Sequence, residues 1–381
     1  MASDEQPLNR EPAAKALIEH FLTPQNISYD RNHGPMPKAL DSCTHTVQIG
    51  GLVSNPLTLG MNQLRSEFPQ HEVICALECA GNRRHTMRTI LREVQGIDWG
   101  DGAIMNCKWK GPRICDVLRR AGLSDEMNGS DQDLHVAFSS HQAKCADADH
   151  FEISVPLDIC LREDRDAILA LEVGLASNTQ ERVNDTVLDH KHGYPVRVIL
   201  PGVVGVRWVK WLDQIVIQDH ESPNIYQERD YKVLPPDAVD SESAEQYWHC
   251  TPPMYDIPIN SAIVSPADGE TVHLSSTGTV EVHGYAIPQG SGGPVVNVQV
   301  SGDGGESWMS AELTGSEVET KWGWVLWTAH VKVTLGKGKQ ILSRATDAEG
   351  NSQESEHSQW NLRGVGYSGF GRVMNLTIVQ S

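Results

Sequence analysis

VICALECAGNRRHTM, residues 73–87, is the stretch on which the reading of this chain turns. Val73, Ile74, Ala76 and Leu77 form a short apolar run that predicts a buried strand, and Ala80, Gly81 and Asn82 break it. Cys79 stands where the strand ends, with Arg83 and Arg84 close behind. Gly81 has no β-carbon, so backbone or a flat ligand can come near beside the sulfur. Two guanidinium groups nearby are expected to favour thiolate over thiol. Such a thiolate serves as a nucleophile, a redox thiol or a soft metal ligand, and the stretch alone does not choose among them. The Cys-x5-Arg spacing of a thiol phosphatase would put its arginine at position 85, which is His85.

Working outward, the whole chain is acidic: 31 Lys and Arg stand against 50 Asp and Glu, a formal charge of −19. That balance argues against nucleic-acid or anionic-membrane partners, which need a basic surface. An anion site in such a chain has to be a local basic pocket, so arginines beside Cys79 carry information. The 381 residues are enough for two domains with real cores. Eight cysteines without CxxC spacing suggest a reducing compartment. The N-terminal residues are acidic and contain proline, unlike a signal or transit peptide. No apolar run approaches the ~20 residues of a spanning helix. A cytoplasmic location is expected, with the peroxisome or another organelle left open, although the terminal IVQS is a poor peroxisomal address.

In order along the chain, helices are predicted over Glu11–Leu22, Asn62–Phe68, His85–Val94 and Pro112–Ala121. Thr46–Val53 and Leu134–Phe138 read as strands, with another within Ile153–Leu161. Ala170–Asp189 is polar and reads as loop. Two apolar strand-like runs follow in KHGYPVRVILPGVVGVRWVKWLDQIVIQD, starting at Lys191. From about Leu234 the texture turns to Pro, Ser and acids, the composition of a boundary. Beyond it lie alternating segments with Gly/Asp turns: Thr279–Tyr285, then Val296, Val298 and Val300, then two strands within Trp322–Val333, then Ile341–Ala345. The fold class expected is α+β: a mixed α/β domain over 1–240, then an all-β immunoglobulin-like sandwich over 241–381.

Taken singly, other residues have ordinary readings. Arg31-Asn32-His33 reads as a solvated loop triplet, and Arg363 in WNLRGVG as a surface charge. Lys210 between tryptophans can snorkel along a strand edge. Tyr231 can seal a domain contact, and His192 and Arg197 can cap a turn.

Together, five segments resemble the eukaryotic sulfite oxidase and nitrate reductase family of molybdopterin oxidoreductases. They are YDRNHGPMP (29–37), ALECAGNRRHTM (76–87), HGYPVRVILPGVVGVRWVKWL (192–212), ERDYK (228–232) and WNLRGV (360–365), in the family's order. The resemblance implies a molybdopterin domain followed by an immunoglobulin-like domain that pairs two subunits. It implies that Cys79 is the single protein ligand to molybdenum, whose other ligands come from the pterin and from oxygen. Arg31, Arg84 and Arg363 are then the arginines of an anion pocket, Tyr231 the tyrosine beside the metal and Trp99 an aromatic wall. Asn32, His33, His192, Arg197 and Lys210 would hold the cofactor.

The implied reaction is oxidation of sulfite to sulfate by oxygen transfer at molybdenum. Guanidinium forks suit such an oxyanion better than an ammonium does. Arg363 and the RDYK arrangement of Tyr231 favour sulfite over nitrate, the alternative being a related enzyme of nitrate or an S- or N-oxide. A third possibility is a cofactor-free binding protein. The sequence departs from the family at Lys191-His192-Gly193, where Asp-His-Gly is usual, and 139–149 supports no assignment. No haem, flavin or nicotinamide domain is recognised. Electrons are therefore expected to pass to oxygen, as in the plant-type enzymes, or to a separate carrier.

Overall fold

The computed structural model describes residues 6–123, 133–176, 183–315, 320–354 and 360–380. The expected strand runs from Gln70 to Glu78 and lies antiparallel to Ile104–Pro112, with Glu78 opposite Ile104. Cys75, Ala76, Leu77 and Glu78 are all buried, so its C-terminal end is covered on both faces and Cys79 leaves it inside the protein. Ile104–Pro112 pairs in turn with Glu172–Ala176, and that strand with Val183–Val187, completing a four-stranded sheet.

The last two strands correct the expectation of a loop over Ala170–Asp189, whose centre, 177–182, lies outside the described residues. Val183–Val187 is one of the two outermost strands of its sheet, the strand ending at Cys79 being the other. Val187 is exposed, and a strand open to water needs no apolar run, so its polar composition hid β-branched residues.

A second sheet has five strands in the order Leu57–Gly60, Thr46–Gly51, Gln214–Gln218, His135–Ser140, Phe151–Pro156. Its middle strand runs parallel to Thr46–Gly51 and antiparallel to His135–Ser140. Val47, Ile49, Phe138, Ile215 and Ile217 share one core with Trp109 and Trp208. Of the apolar runs after Lys191, the first gives only a three-residue strand, Arg197–Ile199, paired with Ile168–Ala170. The helices Met61–Ser66, Arg84–Ile90 and Ile114–Arg120 stand near their expected places. Only Ala14–Leu17 of the expected Glu11–Leu22 helix forms. The Phe21 carbonyl instead accepts from Asn106 Nδ2 at 3.0 Å and Trp324 Nε1 at 2.8 Å, so tertiary bonds replace helical ones. Pro156 ends the strand expected within 153–161, and Leu157–Leu161 is helical.

The C-terminal part is the expected two-sheet sandwich. One sheet orders Asn260–Ser265, Val280–Ile287, Val325–Val331, Glu312–Thr314; the other orders Thr271–His273, Gly371–Val379, Gly336–Asp347, Val295–Ser301, Met309–Ser310. Val282, Val298, Val300, Trp327, Ala345 and Leu376 fill the space between them. Two details differ from the sequence reading. Val296 is exposed because a register shift between Val295 and Asn297 turns Val295 inward in its place. Trp322–Val333 holds one strand rather than two, since Trp322 belongs to the core of the first part and Trp324 to a cluster bridging both.

All strands of the two sandwich sheets begin after residue 259, and all strands of the other sheets end before residue 219. The stretch between them carries Tyr231, and a loop leading to the final strand carries Arg363.

Candidate functional site

Cys79 opens onto a cavity that, with its mouth, encloses about 850 Å³. Arg31, Asn32, His33, His192, Arg197, Lys210 and Tyr231 line the same cavity, so residues from four of the five matched segments meet there. Arg84, Trp99 and Arg363 are outside its lining. Trp99 is a core residue, 3% exposed.

The loop after Cys79 is fixed by backbone bonds. Cys79 N donates to the Ala103 carbonyl at 2.9 Å, and Asn82 N donates to the Cys79 carbonyl at 2.8 Å. Burial pushes the thiol of Cys79 up, while Arg84 and Arg31 pull it down. Arg84 favours the thiolate as expected, with Arg31 in place of Arg83, but the net direction is upward because desolvation of the charged form is the larger effect. Only one arginine of the RR pair takes part. Arg83, in a left-handed backbone conformation (φ 62°), sends its side chain away from the sulfur. Its Nη1 donates to Asn260 Oδ1 at 2.5 Å and the Gly369 carbonyl at 2.7 Å, and its Nη2 to the Phe370 carbonyl at 2.7 Å. It is a clamp between the two parts of the chain.

Arg84 lies in a slot walled by three glycines. A β-carbon at Gly81 would meet its Nη2 at 2.5 Å, one at Gly96 its Nη1 at 2.7 Å, and one at Gly364 its Cγ at 2.8 Å. Gly81 thus makes room for Arg84 itself and not, as its position suggested, for backbone or a flat ligand. Nε of Arg84 donates to the Gly364 carbonyl at 3.0 Å and Nη1 to the Ile97 carbonyl at 2.7 Å. Arg84 interacts electrostatically with Cys79, Tyr231, Arg363 and Arg31.

His33 Nε2 is 2.6 Å from the Tyr231 hydroxyl, and its ring stacks on Phe151 with centroids 4.8 Å apart. Burial, then Arg31 and Lys210, push His33 well below its usual range, so the ring is neutral. Burial raises Tyr231, with Arg31 opposing, which keeps its hydroxyl protonated.

A cluster of buried cations forms another part of the wall. Arg197 Nη1 donates to the His192 carbonyl at 2.9 Å and Nη2 to the Trp208 carbonyl at 3.3 Å. Lys210 Nζ donates to the carbonyls of Arg31 at 3.2 Å and Lys191 at 3.1 Å, and to Asn32 Oδ1. His192 Nε2 is 3.3 Å from Asp30 Oδ1 and 3.1 Å from Ser28 Oγ. Burial lowers Arg197 to about 10 and holds Lys210 well below its usual range. The buried donors Asn32 Nδ2 and Arg197 Nε have no hydrogen-bond partner among the described residues. Buried polar groups are nearly always satisfied, so unspent donors beside clustered cations fit a polar, anionic ligand such as a pterin phosphate. The soft sulfur of Cys79 fits a metal carried by that ligand.

Arg363 Nη2 bonds Asp230 Oδ1 at 2.8 Å and Nη1 bonds Gln95 Oε1 at 3.1 Å. Asp230 went unassigned in the sequence although ERDYK contains it. Tyr29, Met105, Trp208 and Trp211 also line the cavity, as do Ser140, Ala143 and Cys145 from the segment left unassigned. No spacing signal marks an irregular loop as a wall.

Residues 33–226 match the family described as "Oxidoreductase molybdopterin binding domain", and residues 251–375 the "Mo-co oxidoreductase dimerisation domain". The sulfite oxidase of Gallus gallus is 37% identical over 95% of this chain and 75% of its own length. That of Arabidopsis thaliana is 34% identical over 97% of this chain and 92% of its own. The chain spans 64% of the human mitochondrial sulfite oxidase, at 37% identity over 97% of the present chain. The fold is also that of the sulfane dehydrogenase SoxCD from Paracoccus pantotrophus. The TM-score is 0.72 with 22% identity, over 96% of this chain and 86% of that one.

Proposed function

Because the chain belongs to the sulfite oxidase family of molybdopterin-binding oxidoreductases, we propose that it oxidises sulfite to sulfate at a molybdenum centre ligated by Cys79. The observation that carries this reading is the meeting of Cys79, Arg31 and Tyr231 in one cavity with Arg197, His192 and Lys210. The cations and unspent donors would hold the pterin and its phosphate. When bound, the cofactor supplies a metal that accepts two electrons and an oxygen that can be transferred.

The chain's own residues do the rest. Arg31 and Arg84 create positive potential in a protein of charge −19, drawing a small oxyanion toward the sulfur of Cys79. They also stabilise the charge that collects on the forming sulfate oxygens. The Tyr231 hydroxyl, held between His33 and Arg31, is a neutral donor that an arriving oxyanion can share with His33. Electrons then leave to oxygen or to a separate carrier. The match to a dimerisation domain supports a homodimer paired through the sandwich, and the separation of strands on either side of residues 219–259 supports a division near residue 240.

The experiment is expression in a host that makes the cofactor, then metal analysis and turnover. About one molybdenum per chain is expected, with sulfite-dependent reduction of ferricyanide, and loss of both in Cys79→Ser. A metal-replete wild type that ignores sulfite and reduces nitrate would transfer the assignment to the nitrate alternative.

A further inference from the structure

Arg363 reaches the arginine cluster with an anion already attached. Its Nη2 lies 2.8 Å from Asp230 Oδ1, and both side chains are 25% exposed. Its Nε is buried with no hydrogen-bond partner among the described residues. Asp230 directly precedes Tyr231, so a short backbone link ties the carboxylate to the wall of the Cys79 cavity. Burial, the largest influence, and Asp147 push that carboxyl above its usual range, while Arg363, Arg31 and Arg84 favour its charged form. Its ion pair with Arg363 places one internal anion beside the cations assigned to the substrate.

We infer that Asp230 is the built-in counter-ion of this pocket, a specificity-determining residue that sets its charge for a doubly charged oxyanion. The identity of that oxyanion rests on the proposed sulfite oxidation, whereas the anion site does not. Three guanidiniums carry three positive charges and Asp230 removes one, leaving two. Two positive charges match a sulfite or sulfate dianion and leave a monoanion such as nitrate in surplus field. Release benefits as well. The sulfite dianion and its product carry the same charge, so charge alone cannot expel sulfate. A half-buried ion pair is weak enough to yield to an arriving oxyanion, and it re-forms as the product leaves.

Asp230→Asn and Asp230→Glu in the full, cofactor-loaded chain test this. Melting temperature is followed against sodium sulfate and sodium nitrate, and sulfite turnover is followed with ferricyanide. In Asp230→Asn, sulfate should bind about fivefold tighter, with the sulfite KM and the sulfate inhibition constant falling together. Nitrate should gain less, because the removed charge acts on it once and on sulfate twice. Asp230→Glu should behave as wild type. Sulfate binding that is unchanged or weaker in Asp230→Asn would overturn the inference, leaving Asp230 as a positioning residue for Arg363. If wild type ignores sulfite while the sulfate-dependent melting shifts appear as described, the proposed function fails and the counter-ion stands. If sulfite is oxidised but Asp230→Asn leaves sulfate affinity alone, the counter-ion fails by itself.

Discussion

Arg84 Nε donates a hydrogen bond to the carbonyl oxygen of Gly364 at 3.0 Å, which makes a loop after the sandwich's long strand part of the wall around an arginine from the first part of the chain. Gly364 has φ +56°, and a β-carbon there would lie 2.8 Å from both Arg84 Cγ and Val94 Cγ2. Gly364→Ala combines backbone strain of about 1–2 kcal/mol with displacement of the guanidinium. The sulfite KM should rise at least tenfold for the loss of one well-placed charge-assisted donor, by about 1.4 kcal/mol. Steady-state kinetics beside a melting curve separates the two effects; an unchanged KM would show that Arg84 is not confined by this glycine.

Arg83 should matter to stability. Arg83→Met leaves Asn260 Oδ1 and the Phe370 carbonyl without this donor and the Gly369 carbonyl with only that of Gln353, a cost of about 2–4 kcal/mol. The denaturation midpoint of the cofactor-free protein measures it. A variant as stable as wild type would mean that the clamp contributes nothing to joining the two parts.

Glu78 gives a pH signature. Burial raises it from 4.5 to about 8, against bonds from Asn82 and Asn260 and the charge of Arg83. A carboxyl with a raised folded-state pKa binds its proton more tightly when folded. Its contribution is full below pH 4.5, declines above it, and is lost beyond about 8. Glu78→Gln stays neutral throughout, so it should be more stable than wild type at pH 9 and similar to it at acidic pH. Parallel slopes of melting temperature against pH in the two proteins would refute this.

Lys210 is a buried cation held well below its usual range, first by burial and then by Arg197. Lys210→Met should weaken cofactor retention, measured as molybdenum remaining after dialysis. A variant that keeps its metal as wild type does would remove Lys210 from the cofactor site.

How much of this could be read from residues alone depended on what each residue had to satisfy. The strand ending at Cys79 was legible because burial on both faces writes a continuous apolar run. Val183–Val187 was not: both strands lie at edges of one sheet, but Val187 is exposed, and exposure places no such demand. The alternation of Val298 and Val300 predicted inward faces correctly, and failed at Val296, where a register shift turned Val295 inward instead. Adjacent Arg83 and Arg84 look alike in sequence. The left-handed backbone at Arg83 sends one into the sandwich and leaves the other by the sulfur, and no local pattern announces that. The cavity's lining was visible where it falls in the matched segments, and hidden at Ala143 and Cys145, whose roles come from loop geometry.

The parallel pairing of Gln214–Gln218 with Thr46–Gly51 constrains how the protein is made. This middle strand separates Thr46–Gly51 from His135–Ser140, so during translation the two halves of the sheet have unpaired inner edges until residue 218 has left the ribosome. Tyr231 and Arg363 emerge later still. A nascent chain can therefore offer the Cys79 thiol long before it offers the enclosure around it, and metal insertion belongs after synthesis is finished.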